Sequence, residues 1–112
     1  MFEYKSYVVK VYDGDTITCD IDLGFGILLK KQKLRLYGIN TPEVRGSSKE
    51  EGIKVRDIVR SRILNKWITI KTIKDKKGKY GRWLAIVCED GSDESLNDWL
   101  VKEGHAKEYL IK

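Results

Sequence analysis

The segment Thr16 to Leu23 alternates strictly, and that alternation restricts the fold more than any other feature of the chain. Ile17, Cys19, Ile21 and Leu23 point one way, and Thr16, Thr18, Asp20 and Asp22 the other. A segment with one apolar and one polar face reads as a half-buried strand. Similar runs flank it. Val8, Val9 and Val11 lie in a β-prone run that stops at Asp13-Gly14, a turn signal, and Gln32 to Gly38 resumes the alternation. In that third run Leu34 and Leu36 face the core, with Lys33, Arg35 and Tyr37 opposite. The glycine-punctuated stretch from Leu23 to Leu29 predicts a long hairpin tip or a bulged continuation of the strand. Trp67 to Ile73 and Arg82 to Glu89 are a fourth and a fifth strand, separated by the basic segment Lys74 to Gly81.

Two helices interrupt the strands. Ile39 to Gly46 holds the only proline and reads as a loop leaving the sheet. After it, Ser47 or Ser48 has a glutamate three residues on (Glu50, Glu51), the spacing of a capping box, and Val55, Ile58, Val59 and Ile63 recur at helical spacing. Past the Asp90-Gly91 turn, Ser95 with Asp98 can cap a short second helix whose inward stripe is Leu96, Trp99 and Leu100, and Gly104 is placed to end it. Five strands with one helix after the third and another after the fifth predict a mainly β fold: a five-stranded Greek-key barrel of the OB-fold plan with two packed α-helices. Trp67, Trp83 and Trp99 read as core or core-edge aromatics on these elements.

At 112 residues this is one domain, spanning 1–112, and 41% hydrophobic with 35% charged residues describes a chain that folds on its own. No apolar run approaches the ~20 residues that cross a bilayer, so no membrane partner is expected. Met1 to Lys10 lacks the basic-then-apolar pattern of a secretory signal, which predicts a cytoplasmic protein unless the sequence is a trimmed one. Cys19 and Cys88 fall in strand-like stretches and read as reduced small hydrophobes, a buried bridge between them being the alternative. The net charge of +5 suits a polyanionic partner without specifying one.

Three islands carry chemistry: Asp13-Gly-Asp-Thr16, Arg35 followed by Asn40-Thr-Pro-Glu43, and Tyr80-Gly-Arg82. Taken singly they are a turn, a strand exit and an edge residue. Together they supply what metal-assisted phosphodiester hydrolysis needs. Asp15, the Asn40 side-chain carbonyl and a backbone carbonyl at Thr41 can offer oxygens to a hard divalent cation such as calcium. Glu43 is the candidate for deprotonating a water, and the forked guanidiniums of Arg35 and Arg82 can grip charge building on phosphoryl oxygens.

In this order, Asp13-Gly-Asp-Thr16, Leu34-Arg-Leu36, Thr41-Pro-Glu43, Lys79-Tyr-Gly-Arg82, Asp90-Gly91 and a leucine-bearing helix ending at Gly104-His-Ala-Lys107 resemble the staphylococcal nuclease (thermonuclease) family over nearly the whole chain. The resemblance implies an OB-type barrel and calcium-dependent cleavage of DNA and RNA, leaving 3′-phosphate ends. It implies that Asp15 is a calcium ligand, Thr41 a backbone ligand, Glu43 the general base, and Arg35 and Arg82 the phosphate-gripping pair. Asp13 then borders the metal pocket, and Lys79 and Tyr80 touch nucleotide phosphate. Asn40 stands where the best-known members carry a second metal-binding aspartate, which implies a weaker calcium site. The reading from sequence is therefore a calcium-dependent, monomeric nuclease acting on DNA and RNA. Its alternative is a non-catalytic OB-fold module that binds nucleic acid or protein. His105 reads as a surface or capping residue, and the basic helix face from Lys54 to Arg62 as a solvated surface.

Overall fold

A strand with one apolar face is stable only when that face is covered, and five such strands can cover one another by closing on themselves. In a computed structural model, which describes residues 2–74 and 83–109, the chain runs β1 (Phe2–Asp13), β2 (Thr16–Gly24), β3 (Ile27–Leu36), β4 (Ile39–Asn40), a 3-10 turn (Gly46–Ser48), α1 (Lys49–Ile63), β5 (Trp67–Lys74), β6 (Trp83–Cys88), α2 (Leu96–Lys102) and β7 (Lys107–Glu108). β1, β2, β3, β6 and β5 close a barrel in that order, giving the five-stranded barrel expected from the sequence. β5 returns antiparallel to β1, while β6 joins β3 in parallel and sets Leu84 beside Arg35. Ile17, Leu34, Leu36, Ile68 and Ile70 fill the interior, α1 adds Val55, Val59 and Ile63, and α2 adds Leu96 and Leu100. Each such side chain contributes about 1.5–3 kcal/mol by leaving water.

Several expectations need revision. Leu23 does not continue the inward row of Ile17, Cys19 and Ile21: it is exposed, as are Ile27, Leu28 and Leu29. Both forms expected for this stretch are present: β2 and β3 run out as a long hairpin with a two-residue turn at Phe25-Gly26, and register shifts interrupt their pairing. The capping box at α1 does not form. Ser48 sits at the N-cap with φ −97° and makes no side-chain cap, because its Oγ instead donates to the Glu43 carbonyl at 3.2 Å. Glu50 and Glu51 still place negative charge in the first turn, where the helix dipole favours it. The second helix is capped as expected, with Ser95 Oγ accepting from the Asp98 amide at 3.1 Å and Gly104 ending it at φ 78°. Trp67 and Trp83 are exposed on the outside of their strands, and only Trp99 is half-buried, under the Arg62 guanidinium. Ile39–Asn40 is not simply loop, since it pairs with Lys107–Glu108.

Two glycines act through space rather than through dihedral freedom. Gly14 has no positive φ; a Cβ there would meet Val55 Cγ1 at 2.6 Å and Thr41 at 2.9 Å. Gly52 lies in α1 against the Glu43 carbonyl, where a Cβ would collide with backbone. Cys19 is wholly buried and Cys88 half-buried, both free, and burial reinforced by the Asp20 charge pushes the Cys19 thiol up to about 12.

Gly52→Ala should destabilise the protein by about 1–3 kcal/mol in urea unfolding through this clash, although alanine favours an exposed helix by about 1 kcal/mol. A gain in stability would mean the loop does not rest on the helix. With Ellman's reagent, Cys19 should stay unmodified in the native protein and react only on unfolding; rapid native labelling at Cys19 would contradict the packing described.

Candidate active site

β1 ends and β2 begins across the turn Asp13-Gly14-Asp15, and everything at the site is arranged around the second aspartate. Asp13 Oδ1 accepts from the Asp15 amide at 3.2 Å, and the Asp15 carbonyl accepts from the Leu36 amide at 2.8 Å, so the turn is fastened to β3. Asp15 is buried, and a buried carboxylate is tolerated only when its oxygens are satisfied. Its Oδ2 accepts from the Thr41 amide at 3.1 Å and faces Arg35 Nη1 at 3.6 Å, while Oδ1 accepts from the Thr16 hydroxyl at 3.3 Å.

Arg35 points outward from β3, as alternation predicts, and its fork is filled with oxygen. Nη1 donates to the Ile39 carbonyl at 3.3 Å and Nη2 donates to Asn40 Oδ1. The Tyr109 ring covers the guanidinium with its centroid 5.5 Å away. Tyr109 reaches this position because β7 pairs with β4, matching Lys107 to Asn40, and because its own amide donates to the Gly38 carbonyl at 2.8 Å.

Glu43 is exposed on the loop after β4, its carbonyl held by Ser48 and backed by Gly52. It lines a pocket of about 240 Å³ with Tyr12, Asp13, Val44 and Arg45. Asp13 thus belongs both to the Asp15 turn and to the Glu43 pocket. Burial, reinforced by the neighbouring Asp15, pushes its carboxyl up to about 7.

Of the residues singled out from sequence, Asp13, Asp15, Arg35, Asn40 and Thr41 therefore come together, and Glu43 lies in the adjoining pocket. Lys79, Tyr80 and Arg82 lie outside the described residues; Trp83, which follows them, pairs with Leu34 beside Arg35. The packing of Gly52 and the position of Tyr109 over Arg35 are not legible in the sequence. A two-residue strand carries no periodic signal, and the role of Gly52 exists only through what packs on it. Asp20 and Asp22 serve the β2–β3 hairpin, accepting from the Lys31 and Gly24 amides at 2.9 and 2.8 Å. His105 packs on Trp99 with ring centroids 5.6 Å apart. Arg60 donates to the Val11 carbonyl and Arg62 to Glu89, so part of the basic helix face is structural.

The donors fit a hard divalent cation in kind. Asp15, Asn40 and Thr41 offer only oxygen, and Thr41 Oγ1 is buried without a hydrogen-bond partner. They are poor in charge: among the described residues no group of three or more His, Cys, Asp or Glu side chains gathers to hold a metal. Asn40 supplies an amide oxygen where a carboxylate would add a charge, and Arg35 already occupies that oxygen.

Comparison with known proteins agrees with this architecture. Residues 33–112 match the family described as staphylococcal nuclease homologue. The thermonuclease of Staphylococcus hyicus is 35% identical over 89% of this chain and 56% of its own length, and that of Staphylococcus intermedius is 35% identical over 92% and 59%. An uncharacterized protein of Methanocaldococcus jannaschii is 31% identical over 96% of this chain and 60% of its own. The chain thus spans 56–60% of the length of these relatives. With a five-stranded barrel, an Asp-Gly-Asp-Thr turn fastened to Arg35, and this match over most of its length, the chain belongs to the staphylococcal nuclease homologue family.

Proposed function

We propose that this domain is a cation-assisted nuclease that hydrolyses phosphodiester bonds of DNA and RNA without strong sequence preference. The observation that carries the reading is the placement of Arg35. Its guanidinium is held by Ile39 and Asn40 oxygens beside the buried Asp15 carboxylate, with the Glu43 pocket adjoining through Asp13. A fork already oriented by oxygen acceptors is suited to exchange them for the non-bridging oxygens of a phosphodiester, where charge grows in the transition state. Arg82 is assigned the second grip, and Lys79 and Tyr80 the contacts to flanking phosphate. Glu43, exposed and fixed by its backbone, is assigned to take the proton of the attacking water. Asp15, the Asn40 amide oxygen and the Thr41 carbonyl would hold calcium, which would supply Lewis-acid charge neutralisation there. The names of the two thermonuclease relatives support the reaction class. The alternative, a binding module without cleavage, is favoured by one observation: the amide of Asn40 in the cation cradle, engaged by Arg35.

Single-stranded DNA incubated with the protein and calcium should be cut, and chelator should stop the reaction. Glu43→Gln should slow it by about 10²–10⁴-fold, the usual contribution of a positioned base. Equal cleavage in all three tubes overturns the enzyme reading, and DNA that is bound but never cut establishes the binding module. In calorimetric titration, Asn40→Asp should tighten calcium binding by about tenfold, because a formal charge is added beside a divalent ion. No gain would remove Asn40 from the cradle.

A further inference from the structure

The β2–β3 hairpin violates two local rules at once. Its loop is Phe25-Gly26, between the paired Gly24 and Ile27, and both loop residues have positive φ, 56° and 76°. A two-residue turn of this kind favours Asn-Gly, since a bulky side chain in the left-handed region is strained. Phe25 is also fully exposed, its relative accessibility 101%. A strained backbone and an aromatic ring wholly in water both oppose folding, and among the described residues no burial of the ring offsets them.

The tip is not an isolated oddity. Leu23, Ile27, Leu28 and Leu29 are exposed with it, on strands that have left the barrel core. Leu23 and Leu29 continue into an apolar groove of about 680 Å³ lined also by Phe2, Tyr4 and Trp83. Immediately behind the aliphatic run come Lys30, Lys31 and Lys33, all exposed, with Asp20 of the paired strand 3.6 Å from the Lys30 ammonium. Apolar and aromatic residues leading, with lysines following, is the order of groups across a membrane surface, from acyl boundary to headgroups.

We propose that the β2–β3 tip is a docking element for anionic lipid headgroups, inserting Phe25 and its aliphatic neighbours into the interface while the lysines engage phosphate. Charge favours this occupant over a second copy of the chain: Lys30, Lys31 and Lys33 outnumber Asp20 and Asp22 on the same strands, and a second copy would bring the same positive excess against this one. The exposed aliphatic row of Leu23, Ile27, Leu28 and Leu29 favours it over nucleic acid, because these four side chains have no π-face for a base and outnumber the one aromatic ring at the tip, Phe25. The element lies on the surface and does not span: no helix among the described residues is long and apolar enough to cross a membrane. Asp15 and Arg35 sit at the far end of the same two strands, roughly 30 Å away by strand rise. A docked tip therefore leaves the candidate active site facing water, and the proposal stands independently of the nuclease reading.

The test is co-sedimentation of the full chain with vesicles of phosphatidylcholine alone and of phosphatidylcholine mixed with phosphatidylglycerol. The protein should sediment with the mixed vesicles at least about tenfold more than with the neutral ones, and high salt should weaken the effect. Phe25→Asn should abolish sedimentation while raising the melting temperature, because it installs the preferred turn residue and removes the exposed ring. Phe25→Trp should bind and show a blue-shifted emission on vesicles. Failure of the wild type to sediment, or Phe25→Asn that binds as well as wild type, overturns the proposal. So does a wild-type dimer that Phe25→Asn turns into monomer, or a tip variant whose only defect is in DNA binding.

Discussion

A carboxylate buried at the start of a barrel strand must be satisfied on every side, and Asp15 obliges the surrounding chain to do it. Its Oδ2 fixes the Thr41 amide, its Oδ1 takes the Thr16 hydroxyl, and its charge holds Arg35 at 3.6 Å. Three segments distant in sequence are tied to one atom group: the β1–β2 turn, the outward face of β3 and the strand exit after β4. Gly14 permits this by leaving no side chain between the turn, Thr41 and Val55 of α1. The same constraint sets the chemistry. A loop drawn in by Asp15 carries Asn40, Thr41 and Glu43 with it, and these are the residues assigned to cation and water.

How much of this was legible in the sequence follows from the range over which each signal acts. The strands announce themselves because alternation repeats every two residues and each barrel strand has a covered face. Alternation does not say where cover stops. Ile17, Cys19 and Ile21 are inside the barrel, whereas Leu23 obeys the same parity beyond its rim. Asp15, Arg35, Asn40 and Thr41 were readable as a group through their motif islands, and they do converge. Tyr109 over Arg35 was not, since it depends on a two-residue pairing between β4 and β7 that no pattern marks. The Ser48 capping box failed for a similar reason, because a nearby carbonyl of Glu43 competed for the hydroxyl. Arg82, Lys79 and Tyr80 fall outside the described residues, so their assignment still rests on sequence.

The long β2–β3 hairpin gives the molecule two ends of different character. At one end lie Asp15 and Arg35, packed, hydrogen-bonded and polar. At the other, Phe25 stands in solvent on a strained turn. Natural sequences tend to break local rules where function demands it, and both ends do so: the first buries charge, the second exposes an aromatic ring. The barrel between them is the rigid spacer that keeps the two separate.

Asp15, Arg35, Asn40 and Thr41 come together at one place, and their proposed role in gripping phosphate is tested most directly by nuclear magnetic resonance titration with a nucleoside bisphosphate in the presence of calcium. Saturable shifts are expected at the Thr41 amide and the Arg35 guanidinium, with binding lost on Arg35→Ala and competed by DNA. Shifts confined to residues elsewhere on the barrel, or no binding with calcium present, would contradict that role.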